Sequence, residues 1–214
     1  MVRVRIPATS ANLGAGFDSL GLAVNLYNYV DMEESDGVFI SSTDGTWVPT
    51  TKENLIYQSA QRLYDECGKK LCGLRIIQQN NIPMTRGLGS SSACIVGGLA
   101  AANQMLGNPL GLDDMVGLAS DIEGHPDNTT PALLGGIVTA VLEEGKVFWV
   151  KQEVHSALRL IAVIPDFKLS TEMARQVLPE KVSHMDARYN LSRAALFSAS
   201  LLQGKYENIR IAVE

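Results

Sequence analysis

Residues Pro83 to Ala93, P-M-T-R-G-L-G-S-S-S-A, run straight into the apolar small-residue segment Cys94 to Leu106. Glycines at 87 and 89 allow a tight turn and a close backbone approach, and the serines that follow open a segment that reads as a helix. The first N–H groups of such a helix have no internal partner and sit at the positive end of its dipole. A junction of this kind can seat a phosphate group. A short strand predicted at Leu74 to Gln78 feeds the turn, which completes the strand-turn-helix setting. The loop is not a Walker A motif, because no lysine lies between Pro83 and Leu106. The dinucleotide fingerprint is weakened too, since Ser92 stands where its third glycine belongs. Read alone, G-L-G-S-S-S is equally an ordinary turn with a serine cap.

The 214 residues suffice for one large domain or one and a half ordinary ones, and 46% hydrophobic content supplies a packed core. A formal net charge of -5 and the lack of any Lys/Arg cluster argue against a nucleic-acid partner. Cys67, Cys72 and Cys94 form no even set and no C-x-x-C pair, so they read as incidental thiols of a reducing compartment. The N-terminal M-V-R-V-R-I-P-A alternates like a strand and lacks the apolar core of a signal peptide. No apolar run reaches the roughly 18 residues that span a bilayer. The expectation is a soluble, cytoplasmic protein with no membrane partner.

Along the chain, Val2 to Ile6 reads as a strand ended by Pro7, and residues 7 to 24 as a glycine-rich pocket wall carrying Asn12 and Asp18. The plainer reading is a tight turn in which Asn12 and Asp18 bond local backbone. Asn25 to Ile40 reads as two β-rich runs around an acidic turn, and Glu53 to Cys67 as a helix with Asn54 as its cap. A second helix runs from Leu112 to Ile122, followed by E-G-H-P-D-N-T-T-P-A, whose Glu123, His125, Asp127 and Asn128 crowd between apolar segments. His-x-Asp is too short a pattern to define a zinc site. Leu133 to Leu142 and Lys146 to Val150 read as a hairpin, Leu158 to Ile164 as a further strand, and Ser170-Thr171-x-x-x-Arg175 as a helix start. Tyr189 to Gln203 reads as an amphipathic helix with Leu191, Ala194, Ala195, Phe197, Ser198 and Leu201 inward, and Ile211 to Glu214 as strand.

Four motifs in order carry a family resemblance. P-x-x-x-G-L-G-S-S-S-A closely resembles the second motif of the GHMP kinases, and P-A-T-S-A-N-L-G-A-G-F-D-S-L-G-L-A-V the first motif in its homoserine kinase form. H-P-D-N-x-x-P-A-x-x-G-G (125 to 136) and S-T-x-x-x-R (170 to 175) are similar to the same branch. The resemblance implies an α+β fold of the GHMP kinase kind. Its parts would be a ribosomal protein S5 domain 2-like ATP-binding domain over residues 1–155 and an incomplete, ferredoxin-like C-terminal domain over 156–214. It also implies phosphoryl transfer from ATP to the side-chain hydroxyl of L-homoserine, giving O-phosphohomoserine for threonine synthesis. A homodimer is compatible with it.

By the same resemblance, Pro83, Arg86, Gly87, Leu88, Gly89, Ser90, Ser91, Ser92 and Ala93 would cradle the nucleotide, with Asn54 near the adenine. Ser91 and Asp121 would hold Mg²⁺. The family generally has Glu in place of Asp121, and the shorter reach leaves a bridging water or Glu123 as substitutes. Asn12, Asp18, His125, Thr171 and Arg175 would bind the substrate, Arg175 on its carboxylate and Asp18 on its ammonium. Asn128, Asp127 and Arg175 would be catalytic, with Asn128 and Asp127 acting first as positioners and only second in proton abstraction. A third glycine-rich motif and a further substrate arginine of the family have no match in the chain, so weak nucleotide binding and poor turnover are expected of it. The other readings are a different small-molecule substrate in the same superfamily, or a nucleotide-binding fragment without catalysis.

Overall fold

A computed structural model describes residues 1–156, 158–164 and 171–214, with only the backbone of Thr171 and Glu172 included. Strand β1 (Val2–Ala11) pairs antiparallel with the long β2 (Leu20–Glu34), and a register shift between Pro7 and Ala8 marks a bulge. Pro7 therefore does not end the strand. It lacks an N–H for the ladder, and the bulge absorbs the mismatch while pairing continues to Ala11. Strand β3 (Phe39–Ser42) runs parallel to β4 (Leu74–Gln79), and β4 pairs antiparallel with Tyr29–Glu34 of β2.

Four helices cover one face of this sheet: α1 (Leu55–Glu66), α2 (Ser90–Met105), α3 (Leu112–Glu123) and α4 (Pro126–Leu134). Alternation explains which face. In β2 the side chains of Asn28, Val30 and Met32 are buried while Tyr27, Tyr29 and Asp31 are partly exposed. On the uncovered face Arg5 lies 4.5 Å over the Tyr27 ring and Arg3 5.1 Å over Tyr29. Helix α2 is apolar and small all round because it is sandwiched. A Cβ on Gly97 would lie 3.1 Å from Ile6 and Val30 of the sheet, and one on Gly98 2.4 Å from the Ile56 carbonyl of α1.

Strand β5 (Ile137–Glu143) pairs with Leu20–Leu22 of β2 and forms a hairpin with β6 (Lys146–Gln152). Glu144 and Gly145 at its turn both have positive φ, as a two-residue hairpin loop requires. The path β3-β4-β2-β5-β6 thus has β2 at its centre, with β1 also paired to β2. Beyond β6 come α5 (Thr171–Gln176), α6 (His184–Gln203) and α7 (Ile209–Val213). Helix α6 starts at Ser183, whose Oγ accepts from the Asp186 N–H at 3.1 Å, and ends at left-handed Gly204.

Three further expectations change. Residues 158–164 form no strand, and Ile161 and Val163 are exposed, because among the described residues no neighbouring strand pairs with them. Ile211 to Val213 is helix, and buried Ala212 packs with Leu20 and Phe197 in a small cluster of its own. Of the six residues expected inward on α6, only Phe197 is buried, and Leu191 stays 70% exposed. Among the described residues the cluster reaches the sheet only at Leu20, so it covers one edge of the helix. No helix among the described residues is long and apolar enough to cross a membrane.

Candidate active site

The loop after β4 is tied to β2 by two side chains. Asn28 Oδ1 accepts from the Ile82 N–H at 2.9 Å, and Asn81 Nδ2 donates to the Tyr27 carbonyl at 2.7 Å. The chain then passes Thr85, Gly87 and Gly89, all at positive φ, into α2. Gly89 is the N-cap, with φ 65°, and among the described residues no side chain caps the helix. The first helical bond runs from Ala93 N–H to the Gly89 carbonyl, so the N–H groups of Ser90, Ser91 and Ser92 precede it. This is an open helix N-terminus, electropositive and built of small residues. Pro83 and Arg86 are half-buried on its approach, and Arg86 donates to the Thr85 carbonyl at 3.4 Å. Leu88 and Ala93 point into the core, and the Ala93 amide is used by the helix itself. The side chains of both shape the cradle from below, and the Ala93 amide offers it no donor.

One flank of the cradle is the end of α3. Ser91 and Ser92 both donate to Glu123 Oε1, at 2.7 and 2.9 Å. Asp121 is elsewhere, 3.2 Å from Arg62 of α1 and largely exposed. The reason is geometric: two residues along a helix turn the side chain by about 200°. Glu123, expected only as a substitute, therefore stands beside Ser91 where Asp121 was expected. Cys94 on the same turn of α2 stays a thiol, its pKa pushed up to about 11 by burial and then by the charge of Glu123.

Left-handed Gly124, at φ 88°, turns the chain sharply into α4. His125 is the N-cap, Pro126 opens the helix and Asp127 lies in its first turn, where a carboxylate is favoured. The helix sits directly on β2, since a Cβ on Gly21 would fall 1.7 Å from the Asp127 carbonyl. His125 Nδ1 and Asp127 Oδ1 lie 2.6 Å apart, with Asp127 1% exposed. That bond raises the imidazole pKa against the opposing effect of burial, and the charges of Asp127, Glu123 and Asp18 add to the rise. Asp127 Oδ2 is buried and has no hydrogen-bond partner among the described residues. Asn128 Oδ1 accepts from Thr9 Oγ1 at 2.8 Å.

Opposite lies the loop between β1 and β2. Asn12 and Asp18 both adopt positive φ, and Asn12 Oδ1 accepts from the Asp18 N–H at 2.8 Å, which closes the loop on itself. The local-bonding reading of Asn12 is thus the observed one for its oxygen. The Asp18 carboxylate instead takes two bonds from Arg175, at 3.0 and 2.5 Å across 157 residues of sequence. The guanidinium also lies 5.1 Å over the Phe17 ring. Its pKa is raised first by the bond to Asp18. One ligand atom each from Asp18, His125 and Asp127 lie within 4.8 Å of one another. Thr171 opens α5, while Ser170 lies outside the described residues.

Asn54 does not meet the cradle with its amide. Its Oδ1 caps α1 at the Ile56 N–H and its Nδ2 donates to the Pro49 carbonyl, each at 2.9 Å, with the residue 3% exposed. Its side chain is consumed in holding the chain before α1, as the default reading as a cap implies. Thr9 and Phe17 were missed as individual residues. Period-two alternation places Thr9 opposite Ala8, but the bulge at Pro7 leaves both buried.

Residues 54–136 match the family model described as GHMP kinases N terminal domain. The chain is 47% identical to a homoserine kinase of Caldicellulosiruptor bescii over its whole length and 70% of that protein. It is 46% identical to one of Clostridium beijerinckii, covering 99% of this chain and 71% of the relative. This chain belongs to the homoserine kinase family. A crystal structure of homoserine kinase from Cytophaga hutchinsonii superposes with a TM-score of 0.82 at 29% identity, covering the entire chain and 71% of that structure. The open end of α2 and the 125–128 turn described above both fall within the matched family model. Arg175 lies beyond that model but within the stretch aligned with the homoserine kinases.

Proposed function

We propose that this chain catalyses ATP-dependent phosphorylation of the L-homoserine hydroxyl, the reaction that yields O-phosphohomoserine for threonine synthesis. The observation that carries the reading is the Asp18–Arg175 pair beside His125 and Asp127. An amino-acid zwitterion needs an anion for its ammonium and a planar fork for its carboxylate, side by side, and the pair supplies both. The two groups neutralise each other here, and the zwitterion replaces each with its own opposite charge.

The cradle supports the donor half. Amides of Ser90 to Ser92 would bind the phosphates, and a side chain at Gly89 is excluded because its Cβ would lie 2.0 Å from Thr9 Oγ1. Ser91 Oγ and Glu123 offer hard oxygen donors that suit Mg²⁺, whose chemistry would be to neutralise charge on the β- and γ-phosphates. Asn128 stands between the halves, bonded to Thr9 and 3.2 Å from where a Gly89 Cβ would be. It would orient the acceptor hydroxyl toward the cradle. Asp127 acts as a positioner, because His125 engages one of its oxygens and the other is covered. His125, made more basic by its bond to Asp127, would add positive charge beside the developing phosphoryl transfer when it is protonated.

The test is ATP consumption measured with and without L-homoserine, with phosphohomoserine identified as product. Consumption that ignores homoserine, or that follows a different alcohol, overturns the assignment.

A further inference from the structure

We propose that Thr9 is a positioning residue that locks the carboxamide of Asn128 and ties it to the phosphate cradle, a proposal that rests on the kinase reading above. Thr9 is 0% exposed, so water cannot satisfy its hydroxyl. That hydroxyl donates to Asn128 Oδ1 at 2.8 Å, joining β1 to α4 across 119 residues. The same residue holds the cradle through its backbone, its N–H donating to the Leu88 carbonyl at 3.1 Å. Gly89 closes the triangle: its missing Cβ would lie 2.0 Å from Thr9 Oγ1 and 3.2 Å from Asn128 Oδ1.

The chemistry follows from the planar carboxamide. With Oδ1 held by a donor, Nδ2 must point the other way, and among the described residues no protein group bonds it. Asn128 therefore presents two N–H donors. Without the threonine proton, nothing on β1 distinguishes the two ends of the amide, and a rotation of 180° would present an acceptor in their place. Because Thr9 carries Leu88 through its backbone and Asn128 through its hydroxyl, a change at the hydroxyl acts where the acceptor is oriented and leaves the cradle in place.

Thr9→Val keeps the shape and removes only the hydroxyl, and Thr9→Ser keeps the hydroxyl. We expect Thr9→Val to lower kcat about 10- to 100-fold, the scale of a misoriented reactant, with the KM for ATP changed less than about twofold. Thr9→Ser should recover most of the rate. In the Asn128→Ala background, Thr9→Val should cost nothing further, since its effect runs through the amide. A crystal structure of the Thr9→Val protein should show the Asn128 carboxamide turned or in two orientations, with residues 87–92 in place. An unmoved carboxamide, an additive double variant, or a Thr9→Ser protein as slow as Thr9→Val each overturns the proposal. A wild-type chain that consumes no ATP with homoserine would overturn the kinase reading instead, and the crystal structures would still decide the role of Thr9.

Discussion

Two carboxylates two positions apart, Asp121 and Glu123, make the sharpest contrast at the scale of single residues. Asp121 forms an exposed pair with Arg62, and such pairs contribute about 0–1 kcal/mol. Asp121→Asn should leave turnover within about twofold of wild type and the urea midpoint almost unmoved. Glu123→Gln should weaken apparent magnesium affinity at least about 10-fold, read from rate against magnesium concentration, because it removes the charge that two serines already address. Equal effects of the two substitutions would return the metal to Asp121. His125 carries a pH signature. Its pKa is raised in the fold by the bond to Asp127, so the folded protein binds more protons than the unfolded chain above pH about 6.5. The stability that this bond contributes is fully present below about 6.5 and fades as pH rises through the folded value. The difference in thermal midpoint between wild type and His125→Gln should therefore shrink from pH 6 to pH 9; a constant difference would contradict the bond. Both motifs were legible as strings of residue types. Which carboxylate faces Ser91 was not, because it depends on how α3 is rotated against α2.

Elements here are positioned by the absence of side chains as much as by their presence. Helix α2 approaches α1 so closely at Gly98 that a methyl group would meet the Ile56 carbonyl at 2.4 Å, and that contact is backbone, which cannot turn aside. Gly98→Ala should destabilise the fold by about 1–3 kcal/mol in urea unfolding despite the better helix propensity of alanine. Gly97→Ala, whose Cβ would meet side-chain carbons at 3.1 Å, should cost less. If both variants gain stability, the close packing of α1 on α2 is wrong. Helix α1 and strand β4 were readable from periodicity and flanking signals to within two residues. The strand expected at 158–164 was not a failure of pattern, since L-R-L-I-A-V-I has strand composition. A strand exists only when a neighbour takes its N–H and C=O groups, and alternation says nothing about the neighbour.

At the scale of the whole molecule, the proposed acceptor site draws on residues far apart in the chain. Asp18 lies in the β1–β2 loop and Arg175 on α5, and their pair is about one-third exposed on each side. Its worth to stability is therefore small after solvent screening, and its importance lies in what it presents. Arg175→Lys should raise the KM for homoserine roughly tenfold, since a lysine cannot form the fork, while the unfolding midpoint stays nearly constant. A KM unchanged by that substitution would remove Arg175 from the site. Taken by itself, the sequence determined the glycine-rich turn, the helix behind it, the helix over α1 with its cap at Asn54, and the four motifs that name the family. Those are local matters, set by backbone freedom, periodicity and residue chemistry within a few turns. Only the tertiary structure decided that Glu123 rather than Asp121 meets Ser91, that Asp18 and Arg175 meet each other, and that a buried threonine on β1 holds Asn128. Each of these depends on the rotation and approach of elements distant in sequence, which close packing settles and no local pattern encodes.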